Sequence, residues 1–195
     1  MKHLITSLIC LILISSCKKD GGASSPINDA TTARATFNAI DVLWRGTPSP
    51  ALSKKNQTFT NKVLQDSSGG SATVNGTFSA TSTSYPNSSS STYNMSVIIN
   101  FDHYRSNGLE LNGPLRFYDA RSSRTDCGSA GCASTSHSSA AYDDKDQAGG
   151  TLSPITISLQ YNGQQYKDNI LMVASKEYSS WSVKIITAAQ KTFSF

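Results

Sequence analysis

The residues predict a mainly all-β fold: an antiparallel meander of about seven strands with one N-terminal helix packed on it. Three features point that way. From Gln57 onward, apolar residues recur at alternate positions, the period of a strand with one buried face. Short clusters rich in Gly, Asn, Pro and Ser separate these runs, and short links make neighbouring strands antiparallel. Ahead of them lies one stretch, "NDATTARATFNAIDVLWRG", with apolar residues spaced by three and four.

The chain starts with Met1, Lys2 and His3, then an apolar run from Leu4 to Ile14. A lysine before an apolar run of this length is the pattern of a secretory signal. A bilayer-spanning helix needs roughly 20 apolar residues, so this run is too short to span. Ile14-Ser15-Ser16-Cys17 follows, and hydrophobicity stops at Lys18-Lys19-Asp20. These residues resemble the lipobox of bacterial lipoprotein precursors, a resemblance confined to the first twenty or so positions. It implies cleavage before Cys17, a diacylglyceryl group on the Cys17 thiol and a further chain, such as palmitate, on the freed amine. Two or more acyl chains hold a protein stably on a membrane. In that family an aspartate after the cysteine favours the inner membrane; here the position is Lys18. The resemblance therefore implies the outer membrane, and the Lys-Lys-Asp run is similar to tags that carry some lipoproteins to the outward face.

The expected organisation is a signal peptide over 1–16, acylated Cys17 with a flexible tether over 17–28, and a single β-rich domain over 29–195. The 179 residues after the signal suffice for one core. The formal charge of +4 falls to +3 without Lys2. An excess so small and scattered argues against nucleic acid as a partner. Serine and threonine supply about a quarter of the mature chain, and glutamate occurs only at Glu110 and Glu177. That composition suits a domain outside the cytoplasm.

Each element has its own signature. Asn28 or Asp29 can cap the helix, Ala33, Phe37, Ile40 and Trp44 share a face, and Gly46 with Pro48 ends it. The strand candidates are 57–65, 71–81, 92–104, 109–120, 152–161, 164–174 and 181–188. In "SVIINFDHYRSNGLELNGPLRFY" a two-residue Asn107-Gly108 turn would pair Val97 with Tyr118 and mix the faces. A three-residue loop, Ser106-Asn107-Gly108, pairs Val97 with Phe117, Ile99 with Leu115, Phe101 with Gly113 and His103 with Leu111. All strong apolar residues then share one side. A one-residue slip would flip every side chain, so the three-residue loop is expected, with Gly108 left-handed. In "ISLQYNGQQYKDNI" a two-residue Asn162-Gly163 turn already sets Leu159 against Tyr166 and Ile155 against Ile170.

Chemistry is sparse. Asp102 and His103 are adjacent in a strand and point to opposite faces, so they do not form a dyad. His103 is expected at the open end of the apolar face. Glu110 is expected to form a surface ion pair with Arg105. No Gly-x-Ser-x-Gly elbow occurs. No phosphate-cradling loop or dinucleotide fingerprint occurs either, so no cofactor is expected. Asp143, Asp144 and Asp146 could gather oxygen ligands for Ca²⁺, but Ala148 takes one ligand place and no glutamate follows. A solvated acidic loop is the plainer reading. Cys127, Cys132 and His137 lack the fourth ligand of a zinc site. With Cys10 in the signal and Cys17 acylated, Cys127 and Cys132 remain as an even pair, read as a disulfide worth about 2 kcal/mol.

Residues 121–150 are the one long stretch without a strand pattern. Long structureless loops in compact domains tend to be functional or disordered. This one carries Arg121, Arg124, the cysteine pair, His137, Tyr142, Asp143, Asp144 and Asp146, and is read as a partner-binding loop. The expected function is a membrane-anchored, non-catalytic envelope lipoprotein that binds a glycan, a protein or another envelope component. The alternatives are a periplasm-facing carrier or assembly factor for a lipid or greasy peptide, and a hydrolase with an unrecognised site.

Overall fold

The computed structural model describes residues 23–46, 56–145, 148–177 and 180–195. The leader, Cys17, Pro48 and Asp146 lie outside them. The fold is all-β with one N-terminal helix, α1 (Ala30–Gly46). Asp29 caps that helix, accepting hydrogen bonds from the Thr32 N–H and the Thr32 hydroxyl, both at 2.8 Å. The bond from the Thr32 N–H, above all, holds the Asp29 carboxyl below the usual range. Ala33, Phe37, Ile40 and Trp44 are buried on one face, joined by Leu43.

Among the described residues nine strands form one antiparallel sheet: β1 (Gln57–Gln65), β2 (Ser71–Tyr85), β3 (Ser88–Ser106), β4 (Leu109–Gly128), β5 (Gly131–Asp143), β6 (Ile155–Tyr161), β7 (Gln164–Glu177), β8 (Ser180–Thr187) and β9 (Thr192–Ser194). Their order is that of a meander except at one place. Both β5 and β6 pair with β4 on one side and β7 on the other. They are two pieces of one row, because β5 reaches Arg116 on β4 and β6 takes over at Asn112. Between them β4 carries Gly113 and Pro114, and proline has no N–H to offer a neighbour. The chain leaves the sheet there and returns past a Lys145–Thr151 bridge and a Leu152 N–H bond to the Asp144 carbonyl. A Cβ on Gly113 would stand 3.3 Å from the Ile155 Cα, so glycine lets β6 re-enter close by.

The β3–β4 hairpin reconciles the turn signal with the apolar pattern. Val97 faces Phe117, Ile99 faces Leu115 and Phe101 faces Gly113, as expected. The loop is nonetheless only Asn107-Gly108, both left-handed (φ 49° and 79°), with Ser106 paired to Leu109. The extra residue is absorbed further down, by a bulge between Phe101 and Tyr104. Tyr104 rather than His103 therefore faces Leu111 and is buried, while His103 (φ 49°) is turned out to solvent. The expectation that His103 lies on the apolar face is thus corrected. The β6–β7 hairpin has the expected Asn162-Gly163 turn and register.

One core joins α1 to strands β1 through β8. Phe37 meets Tyr142, Trp181 and Phe195 edge-on, and Trp44 meets Phe117 at 5.5 Å. Before the helix, residues of the expected tether lie against β7. Ser25 bridges Tyr166 in parallel, bonding Gln165 and Lys167 at 2.9 Å, and Ile27 is buried.

Candidate functional site: a hydroxyl-lined ribbon

The apolar alternation ends at one level of the sheet, the row Phe78, Met95, Asp119, Ala140. Above it, β2, β3, β4 and β5 continue as a four-stranded ribbon to the turns after Tyr85 and Gly128, mostly exposed on both faces. The long reading of 121–150 as a loop is therefore corrected: residues 121–128 and 131–143 are strands. Alternate Ser, Thr and Ala on both faces give no apolar period, so the pairing is invisible to a hydrophobicity pattern. Backbone ladders and side-chain pairs hold it instead. Thr81–Thr92 (2.6 Å) and Thr83–Ser90 (2.7 Å) bond on the outer face, and Ser91–Ser123 (2.8 Å) and Thr125–Ser134 (2.9 Å) bond on the core-side face. At the tip Cys127 and Cys132 are joined by a disulfide. The Cys127 N–H donates to the Asn87 carbonyl at 2.7 Å, tying the two hairpin tips together.

The residues expected to act together are dispersed over this framework. Arg124 and His137 share the outer face, where with Ser90, Thr92, Ser122 and Thr135 they line a shallow depression. Arg124 is held by Asp126 through two bonds of 2.7 and 3.1 Å, and that pairing raises its pKa. Arg121 lies on the opposite, core-side face, over the Tyr93 ring, and its fork grips buried Asp119. Tyr142 is a core residue, donating to Asp41 at 2.7 Å, and its burial pushes the phenol well above its ordinary value. It cannot serve a surface partner. Asp143 accepts the Lys145 N–H, and Asp144 holds Leu152 through its carbonyl. Asp143 ends β5 opposite Arg116 and Asp144 opens the excursion to β6, so neither belongs to the ribbon.

A second hollow, at the other end of the sheet, was not anticipated as a site. His103, Glu110, Asn112, Thr156, Ser158 and Lys167 line it. Glu110 forms the expected pair with Arg105 (2.8 Å) and also accepts from His103 Nδ1 at 2.8 Å. His103 first, then Arg105, holds the Glu110 carboxyl below its ordinary value. The bulge at His103 is what aims the ring, and no residue period signals it. Ser158 shares the hollow, but its oxygen accepts from Gln165 Nε2 at 2.6 Å, and the imidazole faces a carboxylate rather than a hydroxyl. This is an ion-pair cluster, not a nucleophile with its base.

Among the described residues no three His, Cys, Asp or Glu side chains gather as a metal site, and no helix is long and apolar enough to cross a membrane. Compared with known proteins, the chain matches no family model, no curated protein and no solved structure.

Proposed function

We propose that this protein is a lipid-anchored envelope lipoprotein whose ribbon is a non-catalytic binding module presented away from the membrane. One observation carries the reading. Ser25, the first bridged residue among those described, is level with Tyr166, Leu159 and Leu109. Leu109 begins β4 and Gly128 ends it at the ribbon tip, a span of 20 residues or about 60 Å at strand rise. Chain entry and ribbon tip thus occupy opposite ends of the molecule. An anchor at Cys17 puts the stapled tip farthest from the lipid.

The packing of α1 supports a binding module over a carrier, since Phe37, Ile40 and Trp44 fill the apolar side of the sheet. The proposed location is the outer membrane, on the strength of Lys18 after the cysteine, with the domain on its outward face, on the strength of the Lys18-Lys19-Asp20 run. Cys17→Ser is expected to leave the protein unacylated, altered in migration and released from the membrane fraction. If the variant still sediments with membranes and migrates as the parent does, the anchor assignment is wrong.

A further inference from the structure

Sheet edges invite pairing with other chains, and folded proteins blunt them with bulges, charges, proline, short strands or covering side chains. Among the described residues, the edges at β1, β9 and the upper part of β2 are blunted. β1 carries a bulge between Phe59 and Lys62 and the charge of Lys62. β9 is three residues long. The upper edge of β2 has the Ala80 N–H covered by Asn56 Oδ1 at 2.5 Å, and Pro86 follows it. Among the described residues, the upper edge of β5 shows no bulge, charge, proline or covering hydrogen bond on the outward groups of Cys132, Ser134 and Ser136. Among the described residues, β7 pairs with β5 only over Ser139–Tyr142. The segment above, Gly131–Ser138, contains no Lys, Arg, Asp, Glu or Pro, and its register with β4 has no bulge.

The direction of its backbone groups follows from the neighbours. Cys127 donates its N–H toward β3, so Cys127 and Cys132 form a non-hydrogen-bonded pair, in keeping with their Cα separation of 4.0 Å. The N–H and C=O groups of Cys132, Ser134, Ser136 and Ser138 therefore point out of the sheet. An antiparallel copy of the same segment centred on Thr135 places Ser134 opposite Ser136 and Cys132 opposite Ser138, each exchanging both bonds. His137 then faces Ala133, so no like charges meet. The overlap ends where β7 begins, at Ser139.

We propose that this edge pairs with the same edge of a second copy, turned end for end. Antiparallel pairing puts the second copy's Ser25 end beyond the first copy's tip. Taken with the outward presentation proposed above, on which this part rests, the pair joins copies on two facing membranes rather than neighbours in one. The contact is small and polar, so each pairing is weak, and the density of copies on two apposed surfaces gives it strength.

The test uses the full acylated chain in detergent with its native disulfide intact. Thr135→Cys places a thiol on the two-fold axis in a non-hydrogen-bonded pair and is expected to give a disulfide-linked dimer on mild oxidation. Ala133→Cys, on the same face, lies opposite His137 and is expected to give several-fold less. Adding Ser136→Pro, which removes an outward N–H but no bond to β4, is expected to abolish the Thr135→Cys dimer while circular dichroism stays unchanged. No dimer from Thr135→Cys, or equal yield from Ala133→Cys, overturns the pairing. Vesicles carrying donor- and acceptor-labelled protein separately are expected to cluster and transfer energy. Transfer confined to co-reconstituted vesicles overturns the facing arrangement. Failure of the protein to stay on vesicles at all would instead strike the anchor, and leaves the detergent result to decide the pairing.

Discussion

Replacing Trp44 by alanine is expected to lower the unfolding free energy by about 3–5 kcal/mol, the range for emptying a buried aromatic site. Trp44 has no exposed surface and fills the space between α1 and Phe117. It is also the link between the helix and the middle of the sheet, so the cavity opens where the two layers meet. Domains of this size have 5–15 kcal/mol in hand, so the loss takes a large part of the total. Trp44→Phe is expected to cost much less. The Trp44 Nε1 is buried without a hydrogen-bond partner among the described residues, and phenylalanine removes that unmet group while keeping most of the ring. Urea titration of the two variants checks the order. Equal loss from both would mean that Trp44 acts through its N–H and not through packing.

Asp168→Ala is expected to cost about 3 kcal/mol, because three backbone N–H groups lose one acceptor together. Asp168 is buried on β7 and accepts from Ile27 (3.0 Å), Asn169 (2.8 Å) and Ala188 (3.1 Å). It thereby joins the segment entering the helix to the turn leaving β8. Ile27 is itself a buried side chain, so its release exposes apolar surface as well. Hydrogen exchange reads the effect locally: the Ile27 and Ala188 amides are expected to lose protection before the amides of β3 and β4. Asp168→Asn, which keeps an acceptor oxygen, is expected to lie between. Uniform loss of protection across the sheet would contradict the latch.

What was legible in the sequence follows from how each element is stabilised. Asp29 caps the helix through side-chain chemistry that a motif can show, and Phe37, Ile40 and Trp44 are large residues at helical spacing. Strands over the core were found because Val97, Ile99, Phe117 and Ile157 alternate with polar neighbours. β5 was missed because its pairing rests on backbone groups and hydroxyls, and "GCASTSHSSAA" has no apolar period. β9 is too short to carry one. The β3–β4 loop was misassigned for a different reason. Turn chemistry and apolar register look like rivals in the residues alone, whereas the bulge at His103 satisfies both. The candidate residues of 121–150 share only nearness in sequence. In a strand, neighbours diverge, so Arg121 and Arg124 emerge on opposite faces, while Tyr142 is drawn into the core by the apolar end of β5. Among the residues of 121–150, the disulfide is the contact legible in the sequence, since it needs two cysteines across a tight turn.

Outward display of the ribbon can be read on intact cells. A recognition site for a specific protease, inserted between Ser129 and Ala130, lies inside the loop closed by Cys127 and Cys132. Tip insertions of this kind are well tolerated. Cleavage is expected on intact cells, with the two fragments held together until the disulfide is reduced. Cleavage only after the envelope is permeabilised would contradict it.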